Sequence, residues 1–94
     1  YVEFKKNVSQ NKIKKVLANY FKNDIFIKIL KNDALISTND VINTNKCLIS
    51  VCKTKNKNKL IILSTIDNLI KGGSGQGIQN MNLKFGFPLK TGLI

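Results

Sequence analysis

The apolar and polar positions along this chain change period several times, and each change predicts an element. Tyr1-Val2-Glu3-Phe4 alternates and reads as a strand. Ser9 then stands where a helix N-cap is expected, ahead of Ile13, Val16, Leu17, Tyr20 and Phe21 at the spacing of one helical face. Lys12, Lys14, Lys15 and Lys22 fall outside that face, towards water, and Asn23-Asp24 ends the helix. The β-branched and aromatic run Ile25 to Leu30 predicts a second strand, closed by a turn at Lys31-Asn32-Asp33. Cys47 to Lys53 and Lys59 to Ile66 predict two more strands, the second apolar enough at Leu60, Ile61, Ile62 and Leu63 to be central in a sheet. A last helix is expected from about Ser74 to about Phe85, with Ile78, Met81 and Phe85 on its apolar stripe and Phe87-Pro88 as its stop.

The predicted order is strand, helix, strand, irregular segment, two strands, helix. It argues an α+β fold, a mainly antiparallel or mixed sheet with a helix on one face. Ninety-four residues suffice for one small domain. The opening run reads as the inside of a strand, so the expectation is the end portion of a longer protein. No apolar run reaches the roughly 18 residues of a membrane span, and no signal-peptide pattern is visible.

Composition changes the picture less than its numbers suggest. The formal net charge is +11, which raises nucleic acid as a partner, but every basic residue is Lys. Bidentate contact with phosphate or guanine favours Arg, and the excess of Lys accompanies one of Asn and Ile, as A- and T-rich codons would produce. The densest cluster, Lys53-Thr54-Lys55-Asn56-Lys57-Asn58-Lys59, lies between two apolar strands and reads as a solvated hairpin tip. A small basic module for nucleic acid or anionic surfaces is the alternative reading of the chain. Cys47 and Cys52 lie five apart on one predicted strand, on opposite faces, and there is no His. They read as small buried hydrophobes in a reducing compartment; no metal site is expected.

The segment that looks built for a ligand runs from Asp67 to Asn82. Four of the six glycines lie between Gly72 and Gly77, where an apolar strand gives way to an amide-rich helix. Close approach of a ligand or of neighbouring backbone is possible there, and the first-turn N–H groups sit at the positive end of the helix dipole. A dinucleotide fingerprint fails, because Ile78 stands in the third glycine position and the chain ends too soon; a P-loop fails for want of Gly-Lys-Ser or Gly-Lys-Thr. Tight packing of the helix on a neighbouring domain, without a ligand, is the competing reading.

With Ser64-Thr65-Ile66 before it and Phe85-Gly86-Phe87 and Thr91-Gly92-Leu93 after it, this run resembles the C-terminal signature of the N-acetyl-gamma-glutamyl-phosphate reductases. Ser37 to Ile49 is similar to a second family segment, with Asn43 and Thr44 standing where Gly and Ser are usual. An aspartate-semialdehyde dehydrogenase tail is less similar at Gln76, at Gln79-Asn80-Met81-Asn82 and at Gly92-Leu93. The resemblance implies a glyceraldehyde-3-phosphate dehydrogenase-like arrangement: an N-terminal Rossmann domain of the same protein, then an α+β catalytic and dimerisation domain. Residues 1–66 would belong to the latter, and 67–94 would be the glycine turn and returning helix that packs on the Rossmann domain. It further implies NADP as cofactor, with Asn68, Gly72 and Gly73 beside the nicotinamide, where an amide both donates and accepts. Asp67 and Lys71 would orient the turn, and Gln76, Gln79, Asn80 and Asn82 would face the other domain. The family's cysteine nucleophile sits in a loop absent from this chain, and its His partner is absent too, so no catalytic residue is expected here. A cytoplasmic homo-oligomer is implied.

Overall fold

The computed structural model describes residues 1–94. Four strands form one mixed sheet in the order β1-β4-β3-β2: β1 is Val2–Glu3, β2 Ile27–Ile29, β3 Cys47–Lys53 and β4 Lys59–Ile66. β3 and β4 make the long antiparallel hairpin, in register from Cys47 opposite Ile66 to Lys53 opposite Leu60. β2 joins β3 in parallel, Ile27 opposite Cys47 and Ile29 opposite Ile49, and β1 pairs antiparallel with the first two residues of β4. β3 and β4 are therefore the two inner strands. β4, expected to be central, has a second neighbour only at Lys59 and Leu60, because β1 contributes just two residues.

Helix α1, Gln10–Tyr20, begins at Ser9, whose hydroxyl accepts from the Lys12 N–H. It packs on β3 and β2. Its apolar face is only half covered: Ile13 and Leu17 are half-buried, while Val16 and Tyr20 are exposed. The full stripe expected from the spacing does not reach the sheet, since β2 has three residues and offers little surface beneath the last turn.

The core consists of Phe26, Val41, Leu48, Ile49, Val51 and Leu60. Successive residues of β3 are buried on both faces from Leu48 to Val51, so the hairpin is covered on both sides at its centre. On one side the Thr65 hydroxyl donates to the Ser37 carbonyl at 3.4 Å, tying in the segment between β2 and β3. That segment holds a short 3₁₀ turn, Thr38–Asp40, in which the Asp40 carboxylate accepts from the Ser37 N–H at 2.7 Å. Cys47 and Cys52 are both on β3, free and half-buried rather than fully buried.

After β4 the chain makes a wide turn over Ile70–Ser74 and enters helix α2, Gly75–Phe85. Gly86, at φ 70°, ends α2 and its N–H returns to the Asn82 carbonyl. The helix thus stops two residues before Pro88, by the left-handed cap that glycine permits at least cost, and not by the proline. No helix is long and apolar enough to cross a membrane.

Candidate functional site

The glycine turn is built around one carboxylate. Asp67 leaves β4 and accepts from three backbone N–H groups: Asn43 at 2.8 Å, Leu69 at 2.9 Å and Ile70 at 3.3 Å. Its carbonyl also accepts from Ile70 and Gly72. The turn is wide because its bonds span five residues, Gly72 to Asp67 and Ser74 to Leu69, and Gly73 departs from helical values at φ −142°, ψ −110°. Asn43 meets Asp67 in a left-handed conformation, φ 60°. Asn is among the few residues that tolerate it, so the turn survives where a glycine would be usual. The orienting role expected for Asp67 is what the geometry gives.

These donors hold the Asp67 carboxyl below its ordinary range, the Asn43 N–H first, with Leu69 and Ile70 adding to it. Asp33, also at a left-handed position, is lowered in the same way, chiefly by the Lys53 N–H. A carboxyl more acidic in the folded state than in the unfolded one stabilises fully above the unfolded value of about 3.9, and the stabilisation is lost as pH falls through the lowered value. Acid titration of urea stability should therefore show wild-type stability falling below about pH 4, and Asp67→Asn should flatten that fall. An unchanged slope in the variant would mean that the carboxylate contributes nothing to folding.

A second layer lies behind the turn. Asn45, fully buried, donates through Nδ2 to Gln79 Oε1 at 3.0 Å, and its own N–H donates to the Ile94 carbonyl at 2.8 Å. Gln79 Oε1 also accepts from Lys71 Nζ at 2.9 Å, and that ammonium stands 5.4 Å from the centre of the Phe26 ring. Asn45 Oδ1 has no hydrogen-bond partner and occupies the space a Cβ on Gly75 would need. Nothing in the spacing of Asn45 marks it as a partner of a helix 34 residues away. Its signals were an amide two residues before an apolar strand and a place in the Ser37–Ile49 segment that resembles the family.

The face of α2 that is buried within this chain is polar. Gly75, Gln79 and Asn82 are buried, while Met81 and Phe85 are exposed and Ile78 is half-buried. Asn82 donates through Nδ2 to the carbonyls of Leu89 and Thr91, both at 3.0 Å. Gln79 and Asn82 thus serve this chain itself rather than a facing domain. Gln76 donates to Asn80 along the helix surface at 3.3 Å. Buried amides need partners, and the loops before β3 and after α2 supply them.

Asn68, Gly72 and Gly73 are all exposed and adjacent in the turn. The Asn68 carboxamide lies against Gly72, where a Cβ would collide with its Oδ1, and it makes no side-chain hydrogen bond within the chain. Its amide oxygen and nitrogen are without partners in the chain, on an exposed side chain. Burial pushes the Cys47 thiol up, and the Lys71 ammonium opposes this. The lysine-rich hairpin forms one wall of a separate cleft of about 380 Å³, lined by Lys53, Lys57 and Lys59 with Asn7, Ser9 and Gln10.

A family model described as "Semialdehyde dehydrogenase, dimerisation domain" matches residues 1–68. The N-acetyl-gamma-glutamyl-phosphate reductase of Thermoanaerobacter pseudethanolicus is 40% identical over 93 residues, 99% of this chain and 27% of the relative. Proteins of the same name from Vesicomyosocius okutanii and Karelsulcia muelleri are 44% identical over 93 residues and 46% identical over 87, covering 99% and 93% of this chain. The chain spans 26% of the length of each of these two.

Proposed function

The chain belongs to the semialdehyde dehydrogenase dimerisation-domain family, and we propose that it forms the C-terminal part of an NADP-dependent N-acetyl-γ-glutamyl-phosphate reductase. That enzyme reduces an acyl phosphate to N-acetylglutamate semialdehyde in arginine biosynthesis, in the cytoplasm. In this reading residues 1–66 supply sheet to the catalytic and dimerisation domain of a homo-oligomer. Residues 67–94 supply the turn and helix that meet an N-terminal Rossmann domain. The nucleophile and its acid/base partner come from outside this chain.

The observation that carries the reading is the free carboxamide of Asn68 on a turn fixed by Asp67. An amide with both donor and acceptor unspent matches the carboxamide of a nicotinamide, and the glycines beside it leave room for a ring to approach. When bound, the cofactor in its reduced form, NADPH, would supply the hydride; the part of this chain is to hold and orient the cofactor's carboxamide end.

In the full-length enzyme, Asn68→Ala should raise the KM for NADP about tenfold, the equivalent of roughly 1.4 kcal/mol from two lost hydrogen bonds. Urea stability should stay within about 0.5 kcal/mol, as for an exposed side chain. A loss of stability with cofactor affinity intact would make Asn68 a structural residue and remove the support for this site.

A further inference from the structure

The lysines of this chain are gathered, not scattered. A hollow of about 380 Å³ carries Lys53, Lys57 and Lys59 on its wall. A second, of about 370 Å³, carries Lys5, Lys6 and Lys12, and a third, of about 520 Å³, shares Lys12 and adds Lys15. Ser9 lines all three, so they adjoin around the start of α1. None of the five acidic residues lines any of them. Asp33, which accepts from the Lys53 N–H at 3.0 Å, stays outside the walls. A bias in base composition supplies lysines, but it neither collects them nor keeps the acids away.

The fold does the collecting. The segment between β1 and α1 is laid along the hairpin tip: the Phe4 N–H donates to the Asn58 carbonyl at 2.8 Å, Asn58 Nδ2 donates to the Phe4 carbonyl at 3.3 Å, and the Val8 N–H donates to the Lys57 carbonyl at 3.2 Å. Gln10 Nε2 donates to the Val51 carbonyl at 2.8 Å and holds the first turn of α1 against β3. The tip is closed by the Thr54 hydroxyl, which donates to the Lys59 carbonyl at 2.8 Å and accepts from the Asn56 N–H at 3.1 Å. Lysines far apart in sequence are thereby fixed on one surface. Like charges so held repel one another, and a polyanion among them relieves the repulsion.

Each hollow is of a size to hold one small ligand, and three in continuity suit a chain of repeated phosphates better than one compact anion. Lysine meets a phosphate as a point charge, without the planar fork that bidentate contact uses. The absence of Arg therefore weakens base readout and leaves backbone binding intact. A duplex, being convex, would rest on the rims, whereas a single strand can enter. Phe4 on the second wall offers an apolar surface for a base. The amides of Asn7, Asn11 and Asn56 on the walls both donate and accept. We propose that these joined hollows bind single-stranded nucleic acid through its phosphates, without regard to sequence. No residue from 67 to 94 lines them, so the inference is independent of the cofactor assigned to the glycine turn.

Fluorescence anisotropy of a labelled oligouridylate with the full-length protein tests it. Two triple variants remove equal charge: Lys12→Gln, Lys53→Gln and Lys57→Gln from the hollows, and Lys22→Gln, Lys46→Gln and Lys84→Gln from exposed positions elsewhere. At about 0.15 M salt the first triple should weaken binding on the order of 30-fold and lower the slope of log K against log salt by about 2. The second should weaken it less than about threefold, since charges farther away than a Debye length are screened. Asn68→Ala should leave it unchanged, which separates this site from the cofactor reading. Failure of the wild type to bind, or equal losses in the two triples, overturns the proposal. So does duplex RNA binding as tightly as the single strand, or inorganic tripolyphosphate competing as well per phosphate as the oligouridylate. Urea stability of both triples should stay within that of ordinary surface substitutions. If the first triple does not fold, Lys57→Gln alone decides: a smaller slope than the wild type supports the site, and an unchanged slope rejects it.

Discussion

Replacing Gly75 with alanine will destabilise the protein by about 3 kcal/mol, whereas the same change at Gly77, two positions along the same helix, will stabilise it by about 0.5 kcal/mol. Both are helical glycines, so helix propensity favours alanine equally at each. Their surroundings decide the difference. A Cβ at Gly75 would meet the buried Asn45 Oδ1, the Ile70 carbonyl at 2.7 Å and Ile70 Cγ2 at 2.8 Å. The carbonyl cannot retreat, because it accepts the Gly75 N–H that closes the wide turn. At Gly77 nothing lies within 4 Å of the added carbon. Urea denaturation of the two variants and the wild type provides the measurement. Equal effects at both positions would mean that α2 does not seat on Asn45. The consequence reaches the turn itself: pushing α2 away from Asn45 pulls Ile70, and with it the segment that presents Asn68.

Leu60→Ala should cost about 3 kcal/mol, within the usual range for a buried leucine. Leu60 is 3% exposed and has a cross-strand partner on each side, Val2 on β1 and Lys53 on β3. On the same face stand Ile62 and its partner Val51, the latter 1% exposed. Removing the side chain opens a cavity where three strands meet, and the flanking backbone is too fully paired to close over it. Ser64→Ala, at an exposed site on the same strand, provides the reference and should change stability by less than about 0.5 kcal/mol. A loss below about 1 kcal/mol for Leu60→Ala would show that this end of the hairpin is not core.

The long hairpin was legible without coordinates. Cys47–Lys53 and Lys59–Ile66 are the strands the pattern predicts, since β-branched runs on either side of a lysine-rich tip leave one economical pairing. Ser9 as a cap was legible for a similar reason: its hydroxyl serves an N–H three residues away. The interior of α2 was not. A stripe of Ile78, Met81 and Phe85 is what helical spacing predicts when apolar side chains are assumed to turn inward. The buried residues are instead Gly75, Gln79 and Asn82, because the Asn45 carboxamide before β3 meets Gln79 and the carbonyls of Leu89 and Thr91 meet Asn82.

The candidate site divides along the same line. The glycine run and its resemblance to a family signature singled out Asn68, Gly72 and Gly73, and the roles of Asp67 and Gly86 follow from side-chain and backbone bonds within a few residues. Local chemistry of that reach is written in residue type and spacing. The Asn43–Asp67 bond, the Asn45–Gln79 pair, the Lys71 ammonium over Phe26 and the parallel seating of β2 on β3 each join residues 20 or more positions apart. Only the tertiary structure decides these, because which polar group meets which depends on where the sheet delivers the chain ends, and no periodicity along the sequence encodes that delivery.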